Sequence, residues 1–273
     1  MQRTIPPLDR SENKVIGIIG DPVRQVKSPA VFGDYFRAAG INAVMVPLHV
    51  GSGSFYKVLE GLRYVKNFGG AVITIPYKHE AYRMARERSP MVQDTEMANV
   101  LVPRGDDQWA AGMYDGVGLI NALQKRNITI AGLRALVIGA GGAGTAIAVA
   151  LQQLGQVASL GIADVDRQRA ERLVLKLDNA EIVEPNPESY QLVVNATPVG
   201  MGSNEIPADA GRISPGSIVC DAIMDPPKTR FLREAEQNGS IIVEGKEMLF
   251  GQVEPIVRFL GLLNGPALAA AGT

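Results

Sequence analysis

Apolar residues along this chain fall into short runs separated by turn residues, and the runs switch between strand and helix periods. Val15-Ile-Gly-Ile-Ile19 is a continuous apolar stretch of the kind that buries both faces of a strand, and Asp21-Pro22 closes it with a turn. Ser28-Pro29 reads as an N-cap with proline in the first helical turn, opening a helix to about Ala39. Ala43 to Leu48 predicts a strand, Phe55 to Val65 a helix, and Gly69 to Pro76 an apolar strand broken by its proline. Helix resumes from Tyr77 to Glu87, Asn99 to Pro103 is a strand, and Arg104-Gly-Asp-Asp-Gln108 is hairpin-like before Trp109. A helix from about Val117 to Lys125 leads into a second series. Strands are expected at Ala135 to Ile138, Ala158 to Ala163, Leu192 to Ala196, Ser217 to Ala222 and Ile241 to Glu244. Between them lie helices at Thr145 to Leu154 and Arg167 to Leu177, and a closing helical pattern runs from Met248 to Leu263. Strands alternating with helices predict an α/β protein, and two such series fit two α/β domains better than one sheet.

Composition narrows what those domains can do. With 273 residues, 46% of them apolar, the chain can bury a full core in each of two modest domains. A formal net charge of −1, with no long basic block, gives no electrostatic footprint for nucleic acid or an anionic membrane. The single cysteine, Cys220, excludes an intrachain disulfide framework, and the two histidines, His49 and His79, leave a Cys/His metal site short of ligands. No metal is expected. The lead Met1-Gln-Arg-Thr-Ile-Pro-Pro7 has no apolar core of a signal peptide, and no apolar segment reaches the roughly 18 residues that span a bilayer, so a cytoplasmic location is expected. Monomer and homodimer are both left open.

The densest chemical signal is Gly139-Ala-Gly-Gly-Ala-Gly144, directly after an apolar strand. Glycines at 139, 141 and 144 have the G-x-G-x-x-G spacing, which permits a tight turn, close approach of backbone to a pyrophosphate, and close packing of helix on strand. The following strand ends at Asp164, twenty residues past Gly144, where a carboxylate would accept hydrogen bonds from a ribose 2′-hydroxyl and repel a 2′-phosphate. NAD is therefore expected in preference to NADP, although Arg167 and Arg169 lie close by, with Asp166 as N-cap of the next helix. Gly139, Ala140, Gly141, Gly142, Ala143 and Asp164 form the expected cofactor loop.

Hydride chemistry on an alcohol also needs a group to take the hydroxyl proton. Lys78 lies just beyond the Gly69–Pro76 strand end and Asp115 opens the Gly116-Val-Gly118 turn. From position alone each also reads as an ordinary helix-start residue.

Nearly the whole chain resembles the shikimate dehydrogenase family. Ile19-Gly-Asp-Pro-Val with Lys27-Ser-Pro29 is similar to that family's opening substrate loop, and Gly70-Ala-Val-Ile-Thr-Ile-Pro-Tyr-Lys78 to the element carrying its catalytic lysine. Asp115-Gly-Val-Gly118 resembles the stretch with its catalytic aspartate. Asn195-Ala-Thr-Pro-Val-Gly-Met201 and Asp221 through Thr229 resemble its cofactor-side and nicotinamide-side segments, and Gly245-Lys-Glu-Met-Leu-Phe-Gly-Gln252 its return helix. The resemblance implies a substrate domain of residues 1–112 plus 248–273, a Rossmann domain of residues 113–247, and a cleft between them. It implies reversible oxidation of a ring hydroxyl of a small cyclic hydroxy acid, either shikimate or a quinate or amino-substituted analogue. Lys78 and Asp115 would be the catalytic pair and Ser28, Thr74, Asn99 and Gln252 would bind substrate. Thr197, Pro198, Ala222 and Gly245 would join the cofactor contacts.

Four places depart from the family pattern. Val26 stands where a substrate-binding serine is usual, Val72 where an asparagine is, Met113-Tyr114 where an Asn-Thr pair is, and Met224 where a tyrosine is. A hydrogen bond lost to a charged group costs about 1.5–3 kcal/mol, tens of fold in affinity per site unless another donor compensates. The Asn-Arg-Thr phosphate triplet of NADP-using members reads Asp164-Val165-Asp166 here. These departures keep two further readings open: a dehydrogenase of an unrelated small hydroxy compound, and a non-catalytic nucleotide-binding sensor of the same fold.

Overall fold

A computed structural model of the chain describes residues 13–105 and 108–263. The polar lead at residues 1–12, the Asp106-Asp107 tip of the hairpin loop, and the end of the chain from residue 264 lie outside the described residues. The chain forms two compact units, with one boundary after Met113 and another after Gln252, where the first unit resumes at Val253.

In the first unit the strands are β1 (Lys14–Gly20), β2 (Ala43–His49), β3 (Phe68–Ile73), β4 (Glu87–Arg88), β5 (Val100–Arg104) and β6 (Gln108–Gly112). They form one mixed sheet in the order β2-β1-β3-β5-β6-β4. β1 pairs in parallel with β2 and β3, whereas β5 is antiparallel to β3 and β6. The helices are α1 (Ser28–Ala38), α2 (Phe55–Leu62), α3 (Lys78–Met84) and α4 (Pro90–Thr95). Ile16, Ile18 and Ile19 of β1 are buried, as are Phe32 and Phe36 of α1, so the continuous apolar run reports a strand covered on both faces.

The second unit opens with α5 (Asp115–Lys125). It continues through β7 (Arg134–Ile138), α6 (Gly142–Gln153), β8 (Ser159–Ala163), α7 (Arg167–Val174), β9 (Ala180–Ile182), β10 (Leu192–Asn195), β11 (Ile218–Asp221), α8 (Arg230–Gln237) and β12 (Ile241–Val243). All six strands are parallel, in the order β12-β11-β10-β7-β8-β9. This is a doubly wound Rossmann sheet whose strand order reverses between β7 and β10. α9 (Gly245–Phe259) begins in this unit and ends in the first. The sequence expectation placed that change of domain at Met248. In the structure it falls after Gln252, because the first half of α9 packs on α5.

Several local expectations are corrected. Ser28 is not the N-cap of α1: Lys27 holds that place, its carbonyl accepting from Ala30 and Val31, and Ser28 is the first helical residue. α2 stops at Leu62 and not at Val65, and α3 stops at Met84, because Glu87 pairs with Ala110 as an edge strand. α6 begins at Gly142, three residues before Thr145. No helix among the described residues is long and apolar enough to cross a membrane.

Candidate active site

The first unit brings Thr74, Lys78 and Asn99 together at the carboxyl end of β3. The Thr74 amide donates to Ile19 O at 2.9 Å, and Tyr77 N turns back to Thr74 O at 3.1 Å across a cis Ile75–Pro76 bond, so Lys78 opens α3 immediately beyond the sheet. Ala98 N donates to Lys78 O at 2.9 Å and Ile73 N to Asn99 O at 2.7 Å, which clamps the Asn99 backbone beside the lysine. The Tyr77 ring stacks on Phe55 at 4.8 Å and its hydroxyl donates to Val50 O, anchoring the residue ahead of Lys78. Asn99 is buried and Lys78 half-buried. Ser28 is buried at the start of α1, beyond the loop that leaves β1, and that loop is held by His49 Nε2 against Asp21 Oδ1 at 2.6 Å. Sequence reasoning gave His49 no role; its pairing with Asp21 depends on the β1–β2 register, Gly20 beside His49. Val72 and Met113 are 7% and 1% exposed and belong to the buried apolar residues.

In the second unit Asp115 is the buried first residue of α5, inside the helix and not its N-cap, with its carboxylate in the first turn, where the helix end favours negative charge. Gln252 lies on α9 against Gly118: a Cβ at Gly118 would overlap Gln252 Cγ and Met248 O, and one at Gly251 would overlap Gly118 O. Pro255 has no N–H, so the Gly251 carbonyl lacks its helical donor. Asn121 Nδ2 supplies one at 2.8 Å. The turn that carries Gln252 is thereby tied to the helix that carries Asp115.

The glycine loop fits a dinucleotide. Gly139 has φ +104° and a Cβ there would come 2.9 Å from Ala196 C, while a Cβ at Gly144 would overlap Gly139 O, so both glycines are demanded by protein atoms. Gly141 differs, for nothing lies within 4 Å of its absent Cβ, leaving open space where a pyrophosphate would approach. The first intrahelical amide of α6 is that of Thr145, bonded to Gly141 O, so the amides of Gly142, Ala143 and Gly144 form an anion-binding helix end. Asp164, at the end of β8, accepts from Ala140 N at 2.6 Å through Oδ2 and from Asp166 N at 2.8 Å through Oδ1. Asp166 caps α7, accepting from Gln168 N and Arg169 N. Arg169 pairs with Asp166 at 3.2 Å and Arg167 with Glu171 at 3.0 Å, so the two arginines beside Asp164 each face a carboxylate of their own helix.

Thr197 and Pro198 follow β10, and Ala222 N donates to Asn195 O at 2.9 Å. A Cβ at Gly245 would overlap Ile223 O, so the first turn of α9 rests on the Ala222–Ile223 turn. Asn195 and Asp221, legible in the sequence only as the first residues of two segments, are both buried. Burial raises the Asp221 carboxyl above its ordinary range against three hydrogen bonds that lower it, and pushes the Tyr114 phenol up to about 12. Among the described residues no group of His, Cys, Asp and Glu could hold a metal ion.

Residues 18–101 match the family model of the shikimate dehydrogenase substrate binding domain. A shikimate dehydrogenase (NADP(+)) of Symbiobacterium thermophilum is 34% identical over 259 residues, covering 89% of this chain and 87% of that protein. The structure is similar to shikimate 5-dehydrogenase from Thermus thermophilus in complex with NADP(H) and shikimate, with TM-score 0.84, 28% identity and 93% and 95% of the two chains covered. It is similar also to the Listeria monocytogenes enzyme in complex with shikimate and NAD, with TM-score 0.80, 25% identity and 94% of each chain covered. Taken with the glycine loop and the parallel sheet, these matches show that the chain belongs to the shikimate dehydrogenase family and is an NAD(P)-dependent oxidoreductase.

Proposed function

We propose that the protein interconverts a ring hydroxyl and a ring ketone of shikimate or a close quinate or amino-substituted analogue, with NAD preferred over NADP. Of the substrate-binding residues Ser28, Thr74 and Asn99 belong to the first unit and Gln252 to the second, which also carries the dinucleotide loop. The observation that carries the reading is the ordered set of Lys78 beyond β3, Asp115 at the start of α5 and the glycine loop after β7.

When bound, the nicotinamide supplies the hydride acceptor or donor. In the oxidising direction Lys78, in its amine form, relays the hydroxyl proton and Asp115 orients that hydroxyl; in reduction the lysine returns the proton. Ser28, Thr74, Asn99 and Gln252 bind the ring substituents. The NAD preference rests on Asp164, on Val165 standing fully exposed where a guanidinium would hold a phosphate, and on the pairing of Arg167 and Arg169 with carboxylates. The relatives' names carry NADP(+), so this preference separates the chain from them.

Initial rates of NAD and NADP reduction over shikimate, quinate, amino-substituted shikimate and simple hydroxy acids test it. We expect turnover of a ring acid, at least about tenfold better with NAD in kcat/KM, a difference of about 1.4 kcal/mol. Lys78→Ala should lower kcat by about 10²–10⁴-fold. Turnover of simple hydroxy acids alone would transfer the reading to another substrate. NAD binding with no turnover would favour a sensor, and equal use of NADP would remove Asp164 as the selecting residue.

A further inference from the structure

The second unit's sheet places a crevice outside the carboxyl ends of β7 and β10, where the strand order reverses. The α6 N-terminus would hold the pyrophosphate there, and Asp164 on the β8 side would hold the adenosine half. The nicotinamide half then extends the other way, over the loops that leave β10 and β11. Both loops hang on one side chain. Asp221 Oδ1 accepts from Asn195 Nδ2 at 3.1 Å and from Ile223 N at 3.0 Å, and Oδ2 accepts from the Thr229 hydroxyl at 2.7 Å. Asn195 carries the connection into the first loop, donating through Nδ2 to Val199 O at 3.2 Å and accepting through Oδ1 from Thr197 N and Oγ1 at 3.0 and 2.7 Å. Thr197 Oγ1 in turn accepts from Val199 N at 3.1 Å, and Thr229 Oγ1 caps α8 by accepting from Leu232 N at 3.3 Å.

Asn195, Asp221 and Thr229 are 0%, 2% and 1% exposed. Burying a carboxylate is costly, and satisfying it takes several donors. A carboxylate is also the one side chain that only accepts, on two oxygens, and so matches three donors converging from two loops.

We propose that Asp221 is a positioning residue for hydride transfer: accepting from Asn195, Ile223 and Thr229 together, it fixes the 196–200 and 222–229 segments against each other as the bed for the nicotinamide ring. The inference rests on the switch point being the dinucleotide site. Asp221→Asn keeps the shape but turns an NH₂ toward the Thr229 hydroxyl or toward Asn195 and Ile223 N, so one junction loosens.

The test compares the full-length parent with Asp221→Asn, and with Thr229→Ala, which deletes the same bond from the other side and serves if the first variant does not fold. We expect kcat to fall about 10–100-fold, the scale of a 1 Å misplacement, and the primary isotope effect with 4-deuterated NADH to rise. The Kd for ADP-ribose, which lacks the nicotinamide, should stay within about twofold of the parent, a change under about 0.4 kcal/mol. A folded variant with parental kcat, or one whose ADP-ribose affinity falls as far as its kcat, overturns the proposal. If the parent turns over none of the panel acids, the substrate reading fails. Emission of bound NADH then decides this one, since altered emission with unchanged ADP-ribose binding supports it and unaltered emission overturns it.

Discussion

Both oxygens of the Asp164 carboxylate accept backbone amides, one from Ala140 in the glycine loop and one from Asp166 at the start of α7. The residue that would select the ribose thus also holds the loop that would receive the pyrophosphate, so a substitution there acts on both tasks. Asp164→Ala strands two amides, at about 1–3 kcal/mol. We expect thermal unfolding to drop by several degrees, at about 2–4 °C per kcal/mol, and NAD affinity to fall at least about tenfold. NADP affinity should gain little despite the lost negative charge. A variant with parental stability that switches cleanly to NADP would show that the loop does not depend on this side chain. At this scale the sequence was legible where a side chain acts on its own neighbours: Asp166 caps α7 as its position predicts. The Asp164–Ala140 bond and the Asp221–Asn195 pair span adjacent parallel strands, and no local spacing reports them.

Helix α5 is where element packing bears on the site. Its glycines at 116 and 118 let it touch α6 at Ala146 and α9 at Met248 and Gln252. Gly118→Ala would drive a methyl into the Met248 carbonyl, which cannot swing away as a side chain would. We expect about 1–3 kcal/mol of destabilisation, seen as a lower Tm, and a rise in substrate KM because Gln252 must shift. Unchanged Tm and KM would mean that α9 yields without cost. The glycines were visible in the sequence only as a turn ahead of a helix at Val117. The α6 start was similarly placed late, since glycine is a poor helix former and propensity alone does not predict that the helix begins at Gly142. α4 went unread, although Ser89-Pro90 repeats the Ser-Pro signal of Ser28-Pro29 and Ser89 is extended at its N-cap.

At the scale of the whole molecule, alternation of strands and helices was enough to read two α/β units, because alternation depends on period and not on partners. The mixed pairing of the first sheet, with β4 beside β6, was not legible, since a two-residue strand carries no periodicity. A stability effect is also distributed across both units. Tyr35, Tyr77, Tyr114 and Tyr190 all have phenols raised chiefly by burial. A raised folded pKa leaves stability intact below the unfolded value near 10 and removes it as pH climbs through the folded values. For Tyr114, shifted from 10.0 to about 12, the loss is on the order of 3 kcal/mol once pH has passed the folded value. Thermal unfolding should therefore hold steady from about pH 8 to 9.5 and fall steeply by about pH 11. A flat profile would mean that these phenols ionise as freely in the fold as outside it.

The division of the chain also orders its assembly in time. Tyr114 to Gln252 is one continuous stretch, whereas the first unit waits for the segment beginning at Val253, which adds the buried Val253, Ile256, Val257 and Leu260, the last against Gly70. On the ribosome the part made second can close first. The part made first cannot complete its core until the end of α9 has emerged, so some of its apolar surface waits longest for cover.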